Sequence, residues 1–483
     1  MSWTRRELLA RGLAVGAGLA YAPAASARDP RLRSLARDLR GPVLSPGSAA
    51  YAQARIPENA RYAGIHPLAV AQPLDAHDVA TVVRWSAKTG VPIVARSGGH
   101  SYAGYSTSHG VVVDLSRMRS VQSLAGGRAS VGAGVRLGVL YDRLAAAGRA
   151  LPAGSCPSVG IGGLALGGGF GLASRAWGLT CDRLAAVDIV TADGSILTAD
   201  AQHHTDLFWA SRGGGGGNFG IATRFVFRTL PVPQQGSYFI ATWPWAQAEE
   251  VLDRFLSWAP HAPDGLGAIC RLATGVTTPS VQVFGQFLGT AAQLNALLAG
   301  LVTGLAPQAL KVADASWLDL LRRWAGCLGK ELTACSQPVS QSFAGGSDYL
   351  TAPLSAAGLQ ACRAAIEARQ AGHQGGALLF DAYGGAIGRV KPAATAFVHR
   401  NVIASCQEFA LGEPVAARAW VRATRASLRP HVSGFAYQNY IDPDLASWRH
   451  AYYGANLQRL TKVKRRYDPK NRFHFAQSIP LHL

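Results

Sequence analysis

The stretch Gly154-Ser-Cys-Pro-Ser-Val-Gly-Ile-Gly-Gly-Leu-Ala-Leu-Gly-Gly-Gly-Phe-Gly171 decides how this chain is read. Nine of its eighteen residues are glycine or proline, so it carries too few side chains to build a core of its own. What such a segment can do is bring backbone N–H groups close to something flat or anionic. The stretch reads as a loop, and one thiol, Cys156, sits at its mouth. Upstream, Arg96-Ser-Gly-Gly-His-Ser-Tyr102 forms a second turn of small residues and presents one imidazole, His100. The spacing of Gly160, Gly162 and Gly163 does not match G-x-G-x-x-G, and no clearly apolar strand leads into it. A nicotinamide-binding Rossmann site is therefore disfavoured.

Working outward, the flanking sequence is punctuated as alternating strands and helices. Ala69-Val-Ala71 is a short strand. Asp75 starts a helix with Val79, Val82 and Val83 on one face, and Gly90 stops it. Val91–Ala95 and Val111–Leu115 are further strands, followed by a short strand at Ala129–Val131 and a helix at Leu137–Ala147. Asp182 to Thr198 reads as a hairpin turning at Asp193-Gly194. Arg212 to Gly220 contains five successive glycines, yet Leu207–Trp209 and the strand Ile221–Phe227 abut it. A glycine run between packed elements serves close approach to a ligand rather than linkage. Pro231-Val-Pro-Gln-Gln-Gly236 is the expected boundary. Beyond it, strands such as Tyr238–Trp243 and Val281–Phe287 alternate with amphipathic helices such as Ala248–Trp258 and Ala291–Leu301, the pattern of an α+β domain. At the end of the chain the pattern predicts one helix from Asp444 to Arg466 and a strand over Asn471–Ile479.

R-S-G-G-H-S-Y followed by G-S-C-P-S-V-G-I-G-G resembles the berberine-bridge-enzyme-like flavin oxidases, of the vanillyl-alcohol-oxidase (PCMH) type of FAD-binding fold. The resemblance covers nearly the whole chain. It implies an α+β architecture in which a PCMH-type FAD-binding domain of two α/β subdomains carries a substrate domain with an antiparallel sheet. The expected division is a signal segment at 1–27, a surface arm at 28–61, the FAD domain at 62–232, the substrate domain at 233–430 and a returning C-terminal segment at 431–483. It implies FAD bound bicovalently, with His100 on the methyl of the dimethylbenzene edge and Cys156 on the adjacent ring carbon. Further cofactor contacts fall on Arg96, Ser97, Gly98, Gly99, Ser101, Val159, Gly160, Gly162, Gly163, Gly168, Gly220, Ile221, Tyr437 and Asn439. Asn218 would either hydrogen-bond near the flavin or fix its turn.

An alcohol oxidised by a flavin must deliver a hydride to the ring and a proton to a base. The family's Y-x-N-Y string matches Tyr437-Gln-Asn-Tyr440, which implies Tyr440 as that base, Tyr437 beside it and Asp381 as the partnering carboxylate. A role for both tyrosines in packing alone stays open. Tyr102 and Phe170 match positions that flank substrate. Val159 matches a position where a small side chain admits dioxygen, implying reoxidation by O2 with release of H2O2. Leu164 stands where a histidine is common. Ala377 and Leu379 stand where carbohydrate oxidases hold polar or aromatic groups, which argues for a more apolar substrate than a sugar. Sugar-lactone formation and secondary-metabolite oxidation are the leading reactions. A dehydrogenase using a non-oxygen acceptor and a flavin-containing binding protein are the alternatives.

Composition limits the partners. The net charge of +19 is not arranged as basic blocks with interleaved aromatics, so nucleic acid is not an expected partner. Nor is a metal, or a stable membrane association. Arg5-Arg6, the mildly apolar run Leu13–Ala22 and Ala25-Ser-Ala27 look like a twin-arginine export signal, implying the twin-arginine machinery as a transient partner and an extracytoplasmic destination. An uncleaved anchor is the lesser alternative. Seven cysteines at irregular spacings fit neither a zinc site nor a disulfide framework.

Overall fold

The computed structural model describes residues 29–483; the export segment read at 1–27 lies outside them. Three sheets organise the chain. The first is four-stranded, in the order Val43–Leu44, Ala69–Ala71, Val111–Asp114, Ile93–Arg96. Its last three strands run parallel. The connecting helix, Ala76–Thr89, forms where the sequence punctuates it. Asp75 caps it by accepting from the His77 and Asp78 amides, and Gly90 ends it in the left-handed region at φ 71°. The second sheet is five-stranded and antiparallel, in the order Val121–Leu124, Arg128–Gly132, Ile221–Arg228, Leu184–Val190, Ile196–Asp200.

The third sheet has seven antiparallel strands, in the order Ala309–Asp314, Ser237–Trp243, Ser280–Phe287, Leu266–Ala273, Gly376–Ala382, Ala404–Leu411, Phe343–Leu350. Its two faces differ because side chains alternate along each strand. Leu272, Leu378 and Phe380 point into one core with Val251 and Phe255 of helix Ala248–Trp258, Leu294 of Ala291–Val302, Ile366 of Ala356–Ala371 and Val421 of Pro414–Leu428. Ile269, Leu379, Asp381 and Gln407 face the other way, into a cavity shared with the glycine-rich turns. The fold is α+β.

Four expectations are corrected. The C-terminal helix is two helices, Trp448–Tyr453 and Leu457–Tyr467, because Gly454 at φ 45° and ψ −131° turns the chain between them. Asn471–Ile479 is not a strand, since no neighbouring strand offers its backbone a ladder. Single bonds hold it instead, among them the Ile479 amide on Asn218 Oδ1. Phe473 packs in the core and, with His474 and Phe475, borders the cavity. The glycine-rich stretch is not all loop: Ile161–Leu166 makes a short helix. The arm is not a surface feature, because Leu32, Leu35 and Leu39 are buried in the same core as Val79 and Val83.

Candidate active site

Two glycine turns meet backbone to backbone. A Cβ added to Gly98 would stand 2.2 Å from the Gly160 amide nitrogen, and one on Gly160 would stand 2.2 Å from that of Gly98. Only glycine permits this approach. Ser97 ties the turns together, donating to the Ala133 carbonyl (2.6 Å) while the Gly162 amide donates to its Oγ (3.3 Å). As a result His100 and Cys156, more than fifty residues apart in sequence, line one cavity of about 320 Å³.

The opposite lining is also glycine. A Cβ on Gly163 would meet nothing within 4 Å, and on Gly216 or Gly217 the nearest atom would be 3.8 Å away. These residues keep room for a group outside the protein, and their backbones fit a flat ring and a diphosphate. The five-glycine turn is fixed from behind. Asn218 donates to the Gly214 carbonyl (3.0 Å), and buried Lys464 donates to the Asn218 carbonyl (2.9 Å).

Most of the residues read from the sequence come together here. His100, Cys156, Ser97, Gly98, Gly99, Ser101, Val159, Gly160, Gly162, Gly163, Gly220, Ile221, Asn439, Tyr437, Tyr440, Asp381, Tyr102 and Phe170 all line the cavity. Two expected cofactor contacts do not. The Arg96 side chain runs away from the cavity to the carbonyls of Ser106 and Arg55 and to that of Ala54, pinning the arm beneath the turn. Gly168, at φ 122°, sits behind the wall against Phe397 and Tyr437. Of the two wall positions offset from Asp381, Leu379 faces the cavity and Ala377 lies outside it.

Aromatic rings build the other side of the cavity. Tyr440 stacks on Tyr102 with centroids 5.3 Å apart and meets Tyr437 edge-on at 5.1 Å. Gln407 donates to the Tyr102 hydroxyl at 2.6 Å. Phe170 stacks on Tyr383 at 4.7 Å. Ser405 donates to Asp381 Oδ2 at 3.2 Å. Tyr437 is occupied differently: its hydroxyl accepts from the Gly169 amide (2.8 Å) and from Asn439 (2.9 Å), and burial raises its pKa well above the ordinary phenol value. These bonds tie Tyr437 to the glycine stretch.

Sequence reasoning missed Glu58 and Gln407. Glu58 Oε2 lies 3.6 Å from His100 Nε2, and burial pushes its carboxyl up to about 7. Gln407 could have been found as the cavity-facing partner of Leu379 across two paired strands.

The family model described as "FAD binding domain" matches residues 67–200, and "Berberine and berberine like" matches 436–480. The chain is 35% identical over 414 residues to the FAD-linked oxidoreductase YgaK of Bacillus subtilis, covering 83% of this chain and 89% of that protein. It belongs to the berberine-bridge-enzyme-like FAD-linked oxidoreductases. A chitooligosaccharide oxidase of Gibberella zeae is 30% identical over 490 residues, covering 95% of this chain and 96% of its own. The solved structure of BBE-like 1 from Physcomitrella patens superposes with a TM-score of 0.88 at 33% identity, over 94% of this chain and 99% of that one. As a member of this family the chain is an FAD-binding oxidoreductase. Among its described residues no cluster of His, Cys, Asp or Glu is arranged to hold a metal, and no helix is long and apolar enough to cross a membrane.

Proposed function

We propose that this berberine-bridge-enzyme-like protein is an exported oxidase that removes a hydride from an alcohol and passes the electrons to dioxygen, yielding H2O2. The observation that carries the reading is that His100, Cys156, Val159, Asp381 and Tyr440 share one cavity walled by glycine. FAD, when bound, supplies the hydride acceptor. His100 and Cys156 hold it from two sides. Tyr440 takes the proton from the substrate hydroxyl as its own phenolic proton passes to the Asp381 carboxylate. Tyr102, held by Gln407, keeps the Tyr440 ring in register. Val159 leaves room beside the ring for dioxygen.

Leu379 and Ile269 give the sheet wall an apolar surface. It suits an alcohol attached to an apolar or aromatic body better than the oligosaccharides named in several relatives. Export is supported by Arg5-Arg6 and Ala25-Ser-Ala27, and by the Cys327–Cys335 disulfide, a bond suited to an oxidising compartment. The test is an anaerobic titration of the yellow protein with benzylic, polyketide-type and oligosaccharide alcohols, followed by admission of air. Bleaching by one class, and one equivalent of H2O2 on reoxidation, are expected. Bleaching without reoxidation in air would replace the oxidase with a dehydrogenase.

A further inference from the structure

Glu58 occupies a place that fold and packing alone do not explain. It lies in the arm ahead of the first glycine turn, between Pro57 and Asn59. Its backbone is docked on the turn itself: the Glu58 amide donates to the Gly99 carbonyl at 3.2 Å, next to His100. A second segment, some 280 residues later, closes over it. Ser340 donates to the Pro57 carbonyl (3.0 Å), the Gln341 amide donates to the Glu58 carbonyl (3.0 Å) and the Val339 amide approaches Glu58 Oε1 (3.4 Å). The carboxylate is thereby enclosed, with the Ser158 hydroxyl hydrogen-bonded to it. Its Oε2 stands 3.6 Å from His100 Nε2, and Ser158 Oγ lies 3.0 Å from the same nitrogen.

Burying a carboxyl is costly, and such perturbed groups cluster where a proton is moved. Burial pushes Glu58 up to about 7, so it can both accept and release a proton near neutral pH. The charged neighbour that opposes this shift is Arg136, whose guanidinium is itself held on the Ser336 carbonyl at 2.9 Å. The titratable and polar groups facing Glu58 are therefore His100, Arg136 and Ser158, with the Val339 amide behind.

We propose that Glu58 is the proton acceptor that makes His100 a nucleophile when the flavin is attached, with Ser158 orienting the imidazole and carrying its proton. The inference rests on the reading that His100 bonds the flavin. The Nδ1 lone pair of His100 forms a bond to the carbon of the ring-edge methyl. That carbon loses one hydrogen as a proton and two electrons pass into the ring system. The Nε2 proton of His100 leaves to Glu58, directly or through the Ser158 hydroxyl. Dioxygen then takes the two electrons and two protons, releasing H2O2 and leaving the attached flavin oxidised. Cys156 needs no such help from Glu58, so the two attachments separate chemically.

That separation gives the test. Trypsin places His100 and Cys156 on different peptides, Ser97–Arg117 and Ala150–Arg175. Glu58→Gln, produced as the full chain and incubated with FAD in air, is expected to attach flavin to the Cys156 peptide while attachment at the His100 peptide slows at least tenfold. The slowed rate should rise with pH as hydroxide substitutes for the missing base, and Glu58→Asp should recover part of it. A wild-type rate at His100 in Glu58→Gln would overturn the proposal, as would equal loss from both peptides. Should Glu58→Gln fail to fold, Glu58→Ala with added acetate takes its place: recovery of His100 attachment by acetate supports the role, and no recovery overturns it. A wild-type His100 peptide with no flavin mass would instead sink the attachment reading itself, a different outcome from either.

Discussion

Replacing Lys464 with methionine removes a cation that ties the end of the chain to the glycine wall of the cavity. The ammonium is fully buried and makes three bonds, to the Asn218 carbonyl (2.9 Å), to Asp468 Oδ2 (2.7 Å) and to the Phe473 carbonyl (2.7 Å). Methionine matches the stem in volume, so packing is nearly conserved. What is lost is the charge, and Asp468 is left buried with only the Arg472 and Phe473 amides donating to it. Removing one partner of a buried pair costs about 3–5 kcal/mol. The retained amides and the chance that Asp468 protonates place the expected loss at the lower end, ~3 kcal/mol. That is a large part of a typical stability of ~5–15 kcal/mol. Urea unfolding followed by tryptophan fluorescence measures it in the flavin-loaded protein. Asp468→Asn in the same background should cost less than the sum of the single changes, because the two groups compensate one another. A Lys464→Met loss below ~1 kcal/mol, or strict additivity with Asp468→Asn, would refute the view that this pair anchors the tail.

Three further outcomes are expected. Gly163→Val puts its branch into open cavity rather than into protein; flavin content should fall severalfold while the apo-protein melts near the parent temperature, and unchanged flavin content would show that the ring lies elsewhere. Tyr440→Phe should lower the anaerobic reduction rate by roughly 10²–10⁴ with little change in substrate binding, and a rate within threefold of the parent would make Tyr440 a packing residue. His399 is buried, donates to the Tyr452 carbonyl (3.0 Å), and burial lowers its pKa to about 3. Its folded pKa lies below the unfolded value, so its contribution is complete above about pH 6.5 and is lost as pH falls toward about 3, at up to ~1.4 kcal/mol per pH unit. His399→Asn should flatten acid-induced unfolding in that window, and parallel pH curves for parent and variant would discount the assignment.

Legibility followed the locality of each signal. The helix Ala76–Thr89 and the hairpin at Asp193-Gly194 could be read because a cap, a stop and a turn lie within a few residues of what they govern. The two glycine turns could be read because glycine content itself announces close approach. Glu58 could not, since its meaning comes from Val339–Gln341, and only the folded chain brings that segment over it. Arg96 misled for a related reason: it adjoins the His100 turn in sequence, but its side chain leaves on the opposite side. Gln407 was hidden because a polar residue at every second position of a strand reads as a solvent face, and here that face looks into the cavity. The single helix predicted over 444–466 failed at Gly454, where a lone glycine is tolerated in many helices and its φ and ψ are not written in the pattern.

The segment carrying Tyr440 is held in a way that links stability to chemistry. Asp442, two residues beyond, pairs with Arg425 of helix Pro414–Leu428, and that guanidinium also faces Glu408 (3.5 Å) and Asp348 (3.8 Å) from the helix-side face of the sheet. The Tyr437 amide donates to Ser347, the Asp442 amide to Tyr452, and Gln477 to the Asp442 carbonyl. Sheet, helix and tail thus converge on six residues. Three carboxylates cannot all be ionised in a buried site around one guanidinium, and burial raises the pKa of both Glu408 and Asp348. Protonated, they bind Arg425 without repelling Asp442. Ionised, they compete with Asp442 for the same cation, and the arm that holds Tyr440 loses its strongest tether. Because their folded pKa values exceed the unfolded ones, this support is complete at low pH and declines as pH rises through the folded values. The bracing of Tyr440 should therefore weaken as pH rises through about 6 to about 8.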